Sequence, residues 1–146
     1  MAGSKTPYFE DIELGDEIGP LDTSAPDAGV VDFCSVWGNP MPNRFTDQVT
    51  AESVRLPFPI VPGIMSMAMM AQLLTNWAGP NAIRDLDLVF RQSIPHNQPL
   101  KVTATITDTR QENGENLVEC DILMTSASGD RYVGGKAIVA LPSKAG

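Results

Sequence analysis

The sequence contains very little of the chemistry that metal sites and disulfide frameworks require. It has one histidine and two cysteines, Cys34 and Cys120, among 146 residues. One imidazole and two distant thiols give no metal-ligand spacing and no disulfide pattern. We therefore expect no metal ion and no cofactor, and we expect a reducing compartment, the cytoplasm.

Basic residues are also scarce. Lys and Arg number 10 against 18 Asp and Glu, so the formal net charge is −8 at pH 7. Nucleic acids and anionic membranes bind basic surfaces, which excludes both as direct partners. A ligand containing a nucleotide could still be held by a few local Lys or Arg residues. Residues 1–10 lack the apolar run of a secretory signal, and residues 1–7 are predicted to be a frayed polar leader.

One long stretch, residues 56–83, has no charged residue and no histidine. Its middle, residues 64–77, is predicted to be a helix that starts after Pro62 and Gly63 and stops at residues 78–80. Apolar residues occur almost all round this helix, which predicts burial on every side. Polar residues such as Gln72 and Asn76 interrupt the run, so we expect a core helix and not a membrane span.

The rest of the chain supplies a sheet. Alternation and β-branched residues predict strands at 17–23, 85–91, 100–109, 116–126 and 132–141, with a short helix at 28–36 and a helical turn within 46–54. Thr50 is a candidate N-cap for that turn, Asn113-Gly114 predicts a hairpin, and Gly134-Gly135 predicts a bulge or kink. We expect one α+β domain, residues 1–146, with a curved antiparallel sheet wrapped around the long helix.

Four phrases of the sequence carry a family resemblance: YFEDIELGD at residues 8–16, PIVPGIM at 59–65, LLTNWAG at 73–79 and LVFR at 88–91. In their order and spacing they resemble the MaoC-like branch of the hotdog superfamily, the (R)-specific enoyl-CoA hydratases and related dehydratases. The resemblance implies a single hotdog fold and a lyase of fatty acid or polyketide metabolism. Its substrates would be acyl thioesters of coenzyme A or acyl carrier protein. It also implies dimers whose central helices pack side by side.

The catalytic phrase of that family is altered here. The resemblance implies an Asp and a His five residues later, within Gly-Asp-x-Asn-Pro-x-His, as the acid/base pair. Residues 38–44 match at the Gly and Pro, but Asn39, Met41 and Arg44 occupy the Asp, Asn and His positions. Asn39 has no proton to exchange near neutral pH, and a guanidinium with a pKa above about 12 is a poor base. Gly63 matches the glycine whose N–H would hold the thioester oxygen, although a tight helix start also favours glycine.

Other residues are candidates for the site. Asp32, Asp47 and His96 could replace the acid or base, although each is typical of an exposed, solvated side chain. Arg44 could instead bind a phosphate, a carboxylate or a partner surface. The substrate-binding candidates are Gly63, Ile64, Met65, Met41 and Trp37. The methionines at 65–70 are expected in the core or along an acyl tunnel, and Cys34 is expected in the core.

Three functions remain open. The chain could be a non-catalytic subunit that completes a heteromeric hydratase with a second hotdog chain. It could be an enzyme with altered chemistry that dehydrates, isomerises or cyclises a polyketide-like substrate. It could also bind thioesters without turnover, as a homodimer or a heteromer.

Overall fold

The computed structural model describes residues 6–145. Within them a single 3₁₀ turn precedes three helices and five strands, in the order β1 (Glu17–Thr23), α1 (Asp27–Trp37), α2 (Gln48–Ser53), α3 (Gly63–Ala78), β2 (Ile83–Phe90), β3 (Leu100–Glu112), β4 (Glu115–Ser126) and β5 (Arg131–Leu141). The predicted α+β class is confirmed. Most of the predicted leader, residues 1–5, lies outside the described residues.

The five strands form one antiparallel sheet in the order β1-β3-β4-β5-β2, which leaves β1 and β2 at its edges. The predicted hairpin joins β3 and β4. Asn113 and Gly114 form its tip with φ values of 51° and 79°, and two positive φ values in succession are typical of the type I′ turn that suits hairpin twist.

The Gly134-Gly135 pair is not a bulge, so that half of the bulge-or-kink prediction is wrong. Gly134 pairs with Val89 and Gly135 with Leu88 in unbroken register. The pair serves close approach instead, because a Cβ on Gly135 would lie 2.9 Å from the Leu88 Cα. The registers shift elsewhere, between Ile83 and Asp85 and between Met124 and Thr125.

The central helix α3 contacts all five strands. It begins at Gly63 after Pro62 and ends before Gly79, whose φ is 103°. One face is buried against the sheet: Ser66, Met70, Leu73, Leu74 and Ala78. The opposite face is exposed: Ile64, Ala68, Gln72 and Asn76. The prediction of burial on every side is therefore wrong for the single chain, because the sheet covers only one side of the helix.

Two local predictions concern residues away from α3. Cys34 is fully buried on α1, as predicted, and Cys120 is fully buried on β4; both are free thiols. The N-cap of α2 is Asp47 and not Thr50, because the Asp47 carboxylate accepts a hydrogen bond from Thr50 N at 2.8 Å. Over residues 6–145, no helix is long and apolar enough to cross a membrane.

Candidate functional site

A pocket of about 410 Å³ opens at the N-terminus of α3. It is built from the end of α1 and the loop after it, from the segment that leads into α3, and from the end of β2 and the chain that follows. Its lining residues are Trp37, Arg44, Phe45, Ile60, Val61, Gly63, Ile64, Ser66, Phe90, Arg91, Gln92, Ser93 and Ile94. We call this the helix-start pocket.

Backbone hydrogen bonds position the segment before α3 between two loops. Ile60 N donates to Arg44 O at 3.3 Å, and Val61 N donates to Ile94 O at 2.8 Å. The first bond ties the segment to the loop after α1, and the second ties it to the chain after β2. The start of α3 is therefore held rigidly between the two walls of the pocket.

The start of α3 also offers hydrogen-bond donors. Met65 N and Ser66 N donate to Pro62 O at 3.0 and 3.1 Å. The N–H groups of Gly63 and Ile64 have no acceptor among the described residues, as is usual in the first turn of a helix. They carry the positive end of the helix dipole and could hold an oxygen that gains negative charge. The buried Ser66 hydroxyl is satisfied, because it donates to Gly63 O at 2.7 Å.

Phe90 lies directly over Gly63. A Cβ at Gly63 would meet the Phe90 ring at 3.3 Å, closer than ordinary packing allows. Phe90 was missed as a site residue, since the alternation of β2 does not reveal what lies above its last residue. Its side chain is 49% exposed, so the ring has room to move.

The loop after α1 is held together by its own hydrogen bonds. Gly38, with a φ of 80°, ends α1, and Asn39 N donates to Cys34 O at 3.0 Å. Asn43 Oδ1 accepts from Phe45 N at 2.9 Å, and Asn43 Nδ2 donates to Pro40 O at 3.1 Å. Asn43 was also missed; its signal is the tendency of Asn to bond the backbone two residues on.

This loop brings Arg44 to the pocket against aromatic rings. The Arg44 guanidinium carbon lies 4.4 Å from the centroid of the Phe45 ring, within range of a cation–π interaction. The Trp37 ring also packs in this cluster, with its centroid 6.0 Å from that of Phe45. Asn39 and Met41 lie in the same loop but do not line the pocket.

The two candidate aspartates do not line the pocket either. Asp47 caps α2, and its carboxylate accepts from both the hydroxyl and the N–H of Thr50, at 2.7 and 2.8 Å. These bonds, the one from the hydroxyl first, lower the pKa of Asp47 below its ordinary value. Asp32 is exposed on α1.

His96 is not the solvated side chain that the sequence suggested. It is only 10% exposed, and its Nδ1 lies 2.9 Å from Asp27 Oδ1 while its Nε2 lies 3.4 Å from Ile60 O. The bond from His96, and then the one from Asn97, lower the pKa of Asp27. His96 therefore ties the loop after β2 to the start of α1 and lies outside the lining of the pocket.

The structure thus brings together four of the predicted residues: Trp37, Arg44, Gly63 and Ile64. Met65 is half-buried against the core, Met70 is fully buried, and no methionine lines the pocket. Across the described part of the chain, no group of three or more His, Cys, Asp or Glu is placed to hold a metal ion.

Comparison with known proteins identifies the fold. No family profile matches the sequence, and no curated protein matches it. Solved structures do match. The (R)-hydratase of A. caviae, described as involved in PHA biosynthesis, has a TM-score of 0.80 at 19% identity, covering 91% of this chain and 99% of that one. A MaoC-like dehydratase from Rhodospirillum rubrum has a TM-score of 0.78 at 18% identity, covering 94% and 98%.

A third similar structure is the ChsH1–ChsH2 complex from Mycobacterium tuberculosis, with a TM-score of 0.76 at 14% identity, covering 88% of this chain and 98% of that one. At such identities the likeness shows the fold. The chain has the hotdog fold that these MaoC-like dehydratases and (R)-hydratases share, and the predicted fold is confirmed.

Proposed function

We propose that this chain binds an acyl thioester, of coenzyme A or an acyl carrier, in the helix-start pocket. We further propose that it does so as the accessory subunit of a hydratase formed with a second hotdog chain. The observation that carries the proposal is the composition of the pocket. It has free N–H groups at the start of α3, but no Asp, Glu or His among its lining residues.

The donors and the apolar walls suit a thioester. An acyl group would pack on Trp37, Ile64 and Phe90, each about half exposed at 46%, 49% and 49%. Its carbonyl oxygen would accept from the N–H of Gly63, with the positive end of the α3 dipole behind it. Hydration also needs a group that exchanges a proton near neutral pH, and the lining residues do not include one.

The exposed apolar surface suits a second chain. Strand β2 is unpaired on one side, and its last residues, Val89 and Phe90, are half exposed. The exposed face of α3, which includes Ile64 and Ala68, offers a second surface for a partner. A partner hotdog chain that extends the sheet or packs on this helix would bury these groups and bring its own acid and base. The similar ChsH1–ChsH2 structure is a complex of two differently named chains.

The test compares the chain alone with the chain and its partner. The purified chain should bind a saturated acyl-CoA in a calorimetric titration and should not hydrate an enoyl-CoA. A pull-down from the native source should recover a second hotdog chain, and adding that chain should produce hydration. Hydration by the isolated chain at the rate of the complex would refute the accessory role.

Turnover of some other kind by the isolated chain would support the alternative, an enzyme with altered chemistry. It would then have to use a group outside the lining, and Asp32, Asp47 and His96 are the candidates. Asp32→Asn, Asp47→Asn and His96→Gln would each be assayed, and loss of turnover in a folded variant would identify the group. Recovery of a second copy of this chain alone in the pull-down would favour a homodimeric thioester binder.

A further inference from the structure

The charge of the helix-start pocket is opposite to that of the protein. The chain has a formal net charge of −8, yet Arg44 and Arg91 line the pocket and no acidic residue does. Seven other basic residues lie within residues 6–145. Three of them, Arg55, Lys101 and Arg131, have no carboxylate within 4.0 Å but do not line the pocket, and the other four are neutralised. Arg84, Arg110, Lys136 and Lys144 each have a carboxylate within 4.0 Å.

Arg44 and Arg91 have no such partner among residues 6–145. The Arg44 guanidinium carbon lies over the Phe45 ring, and Phe45 itself is only 3% exposed. Stacking restrains a guanidinium while its edge N–H donors stay available for a bidentate bond. Arg91 follows β2 directly, and its backbone N donates to Tyr132 O at 2.8 Å, which fixes its position beside Phe90.

We propose that the acyl group this pocket accepts carries a carboxylate, which Arg44 and Arg91 bind while the thioester oxygen lies at Gly63. This inference rests on the proposed function and names its substrate class, a thioester of a dicarboxylic acid. Two unpaired guanidinium groups beside an apolar wall form a site for one anionic group attached to a short carbon chain.

A phosphate of the carrier is the other possible anion. The pantetheine arm, however, separates the carrier phosphate from the thioester by a long extended chain. An anion inside the same pocket of about 410 Å³ as the thioester oxygen would therefore lie on the acyl side of the sulfur. This geometry favours the carboxylate.

The experiment uses thioesters of N-acetylcysteamine, which contain no phosphate. Succinyl and isocaproyl thioesters have the same branched shape, but only the first has a terminal carboxylate. Calorimetric titration of this chain should give an affinity about tenfold or more higher for the succinyl thioester, as expected for a charge-assisted bidentate bond. Arg44→Gln and Arg91→Gln should each lower the succinyl affinity far more than the isocaproyl affinity and so remove most of this preference.

Arg131→Gln is the matched control, because Arg131 is exposed, has no carboxylate within 4.0 Å among the described residues, and does not line the pocket. Arg91 also borders a depression of about 380 Å³ on the sheet together with Arg131. If Arg131→Gln abolishes the preference as Arg91→Gln does, the anion binds in that depression and the proposal is refuted.

Other results would also overturn the proposal. Equal affinities for the two thioesters would refute a carboxylate subsite while leaving thioester binding intact. Competition by phosphopantetheine that depends on Arg44, with no succinyl preference, would assign the arginines to the carrier phosphate. If neither thioester binds, the proposed function fails as well. Circular dichroism of each variant shows that the fold is retained.

Discussion

Replacing Gly135 with alanine would place a Cβ where the backbone of β2 already lies. The new atom would overlap the Asp87 carbonyl oxygen and would lie 2.9 Å from both the Asp87 carbonyl carbon and the Leu88 Cα. Real Cβ contacts are longer than this, and the contacted atoms are backbone atoms fixed in the β2–β5 ladder. The clash can be relieved only if β2 moves away from β5.

Moving β2 would strain or break ladder hydrogen bonds, each of which contributes about 0.5–1.5 kcal/mol. Overpacking itself destabilises a protein by about 1–3 kcal/mol. We therefore expect Gly135→Ala to lower the free energy of unfolding by about 3 kcal/mol or more. At about 2–4 °C per kcal/mol, the melting temperature should fall by about 10 °C.

The adjacent glycine is the control. A Cβ on Gly134 would lie 3.5 Å from Leu123 Cδ1 and 3.8 Å from Ile122 O, which are ordinary contacts. Alanine also loses less backbone entropy on folding than glycine, a gain of about 0.5–1 kcal/mol in a strand. Gly134→Ala should therefore leave the stability unchanged or raise it slightly.

Urea unfolding followed by circular dichroism measures the free energy of unfolding of both variants. The titration is repeated at several protein concentrations, because an oligomer would make the unfolding midpoint depend on concentration. Equal m-values would show that the midpoints report stability. The reasoning is refuted if Gly135→Ala unfolds within about 1 kcal/mol of the wild type, since overpacking should exceed that. It is also refuted if the two variants are equally destabilised. Because β2 ends at Phe90, Gly135→Ala should also weaken the proposed binding of a thioester.

Three further predictions concern the core and the titrating groups. Met70 is fully buried on α3, so Met70→Ala should destabilise the fold by about 2–5 kcal/mol in the same urea assay; a loss below about 1 kcal/mol would contradict the packing. Because the pKa of Asp47 is lowered in the folded chain, its carboxylate stabilises the fold above the unfolded pKa of about 3.9, and this contribution is lost as the pH falls through the folded pKa. Asp47→Asn should therefore make the free energy of unfolding depend less on pH in that acid range, and an unchanged pH profile would show that the Asp47 cap does not cause the dependence. Burial, and then two neighbouring carboxylates, raise the pKa of the Cys120 thiol to about 11, so iodoacetamide should label Cys120 only after unfolding, and rapid labelling of the folded chain would refute this burial.

The elements of the fold could be predicted from the sequence because their signals are local. The ends of α3 follow from Pro62 and Gly79, and the β3–β4 turn follows from Asn113-Gly114. The strand order and the close approach at Gly135 could not be predicted, because both depend on which strand lies beside β5. A glycine pair in a strand indicates a bulge or a close neighbour equally well, and only the register distinguishes the two. The exposed face of α3 was mispredicted for a related reason, since composition indicates what can be buried and not what covers it.

Some residues of the site could be predicted from the sequence, whereas the residues that surround them in the pocket could not. Arg44, Gly63, Phe90 and Arg91 all lie in stretches that were compared with a known family. The resemblance suggests a role for the positions of Arg44 and Gly63, whereas nothing in the sequence indicates that Phe90 and Arg91, at the end of β2, reach the same pocket. The loop before Arg44 keeps a defined shape through the hydrogen bonds of Asn43 and the left-handed turn at Gly38. These backbone bonds do not depend on which side chain occupies position 44. The loop can therefore place the Arg44 cation in the pocket without loss of its fold. If the proposed function is correct, positioning and proton transfer are separable properties of this loop, and the pocket keeps the first without the second.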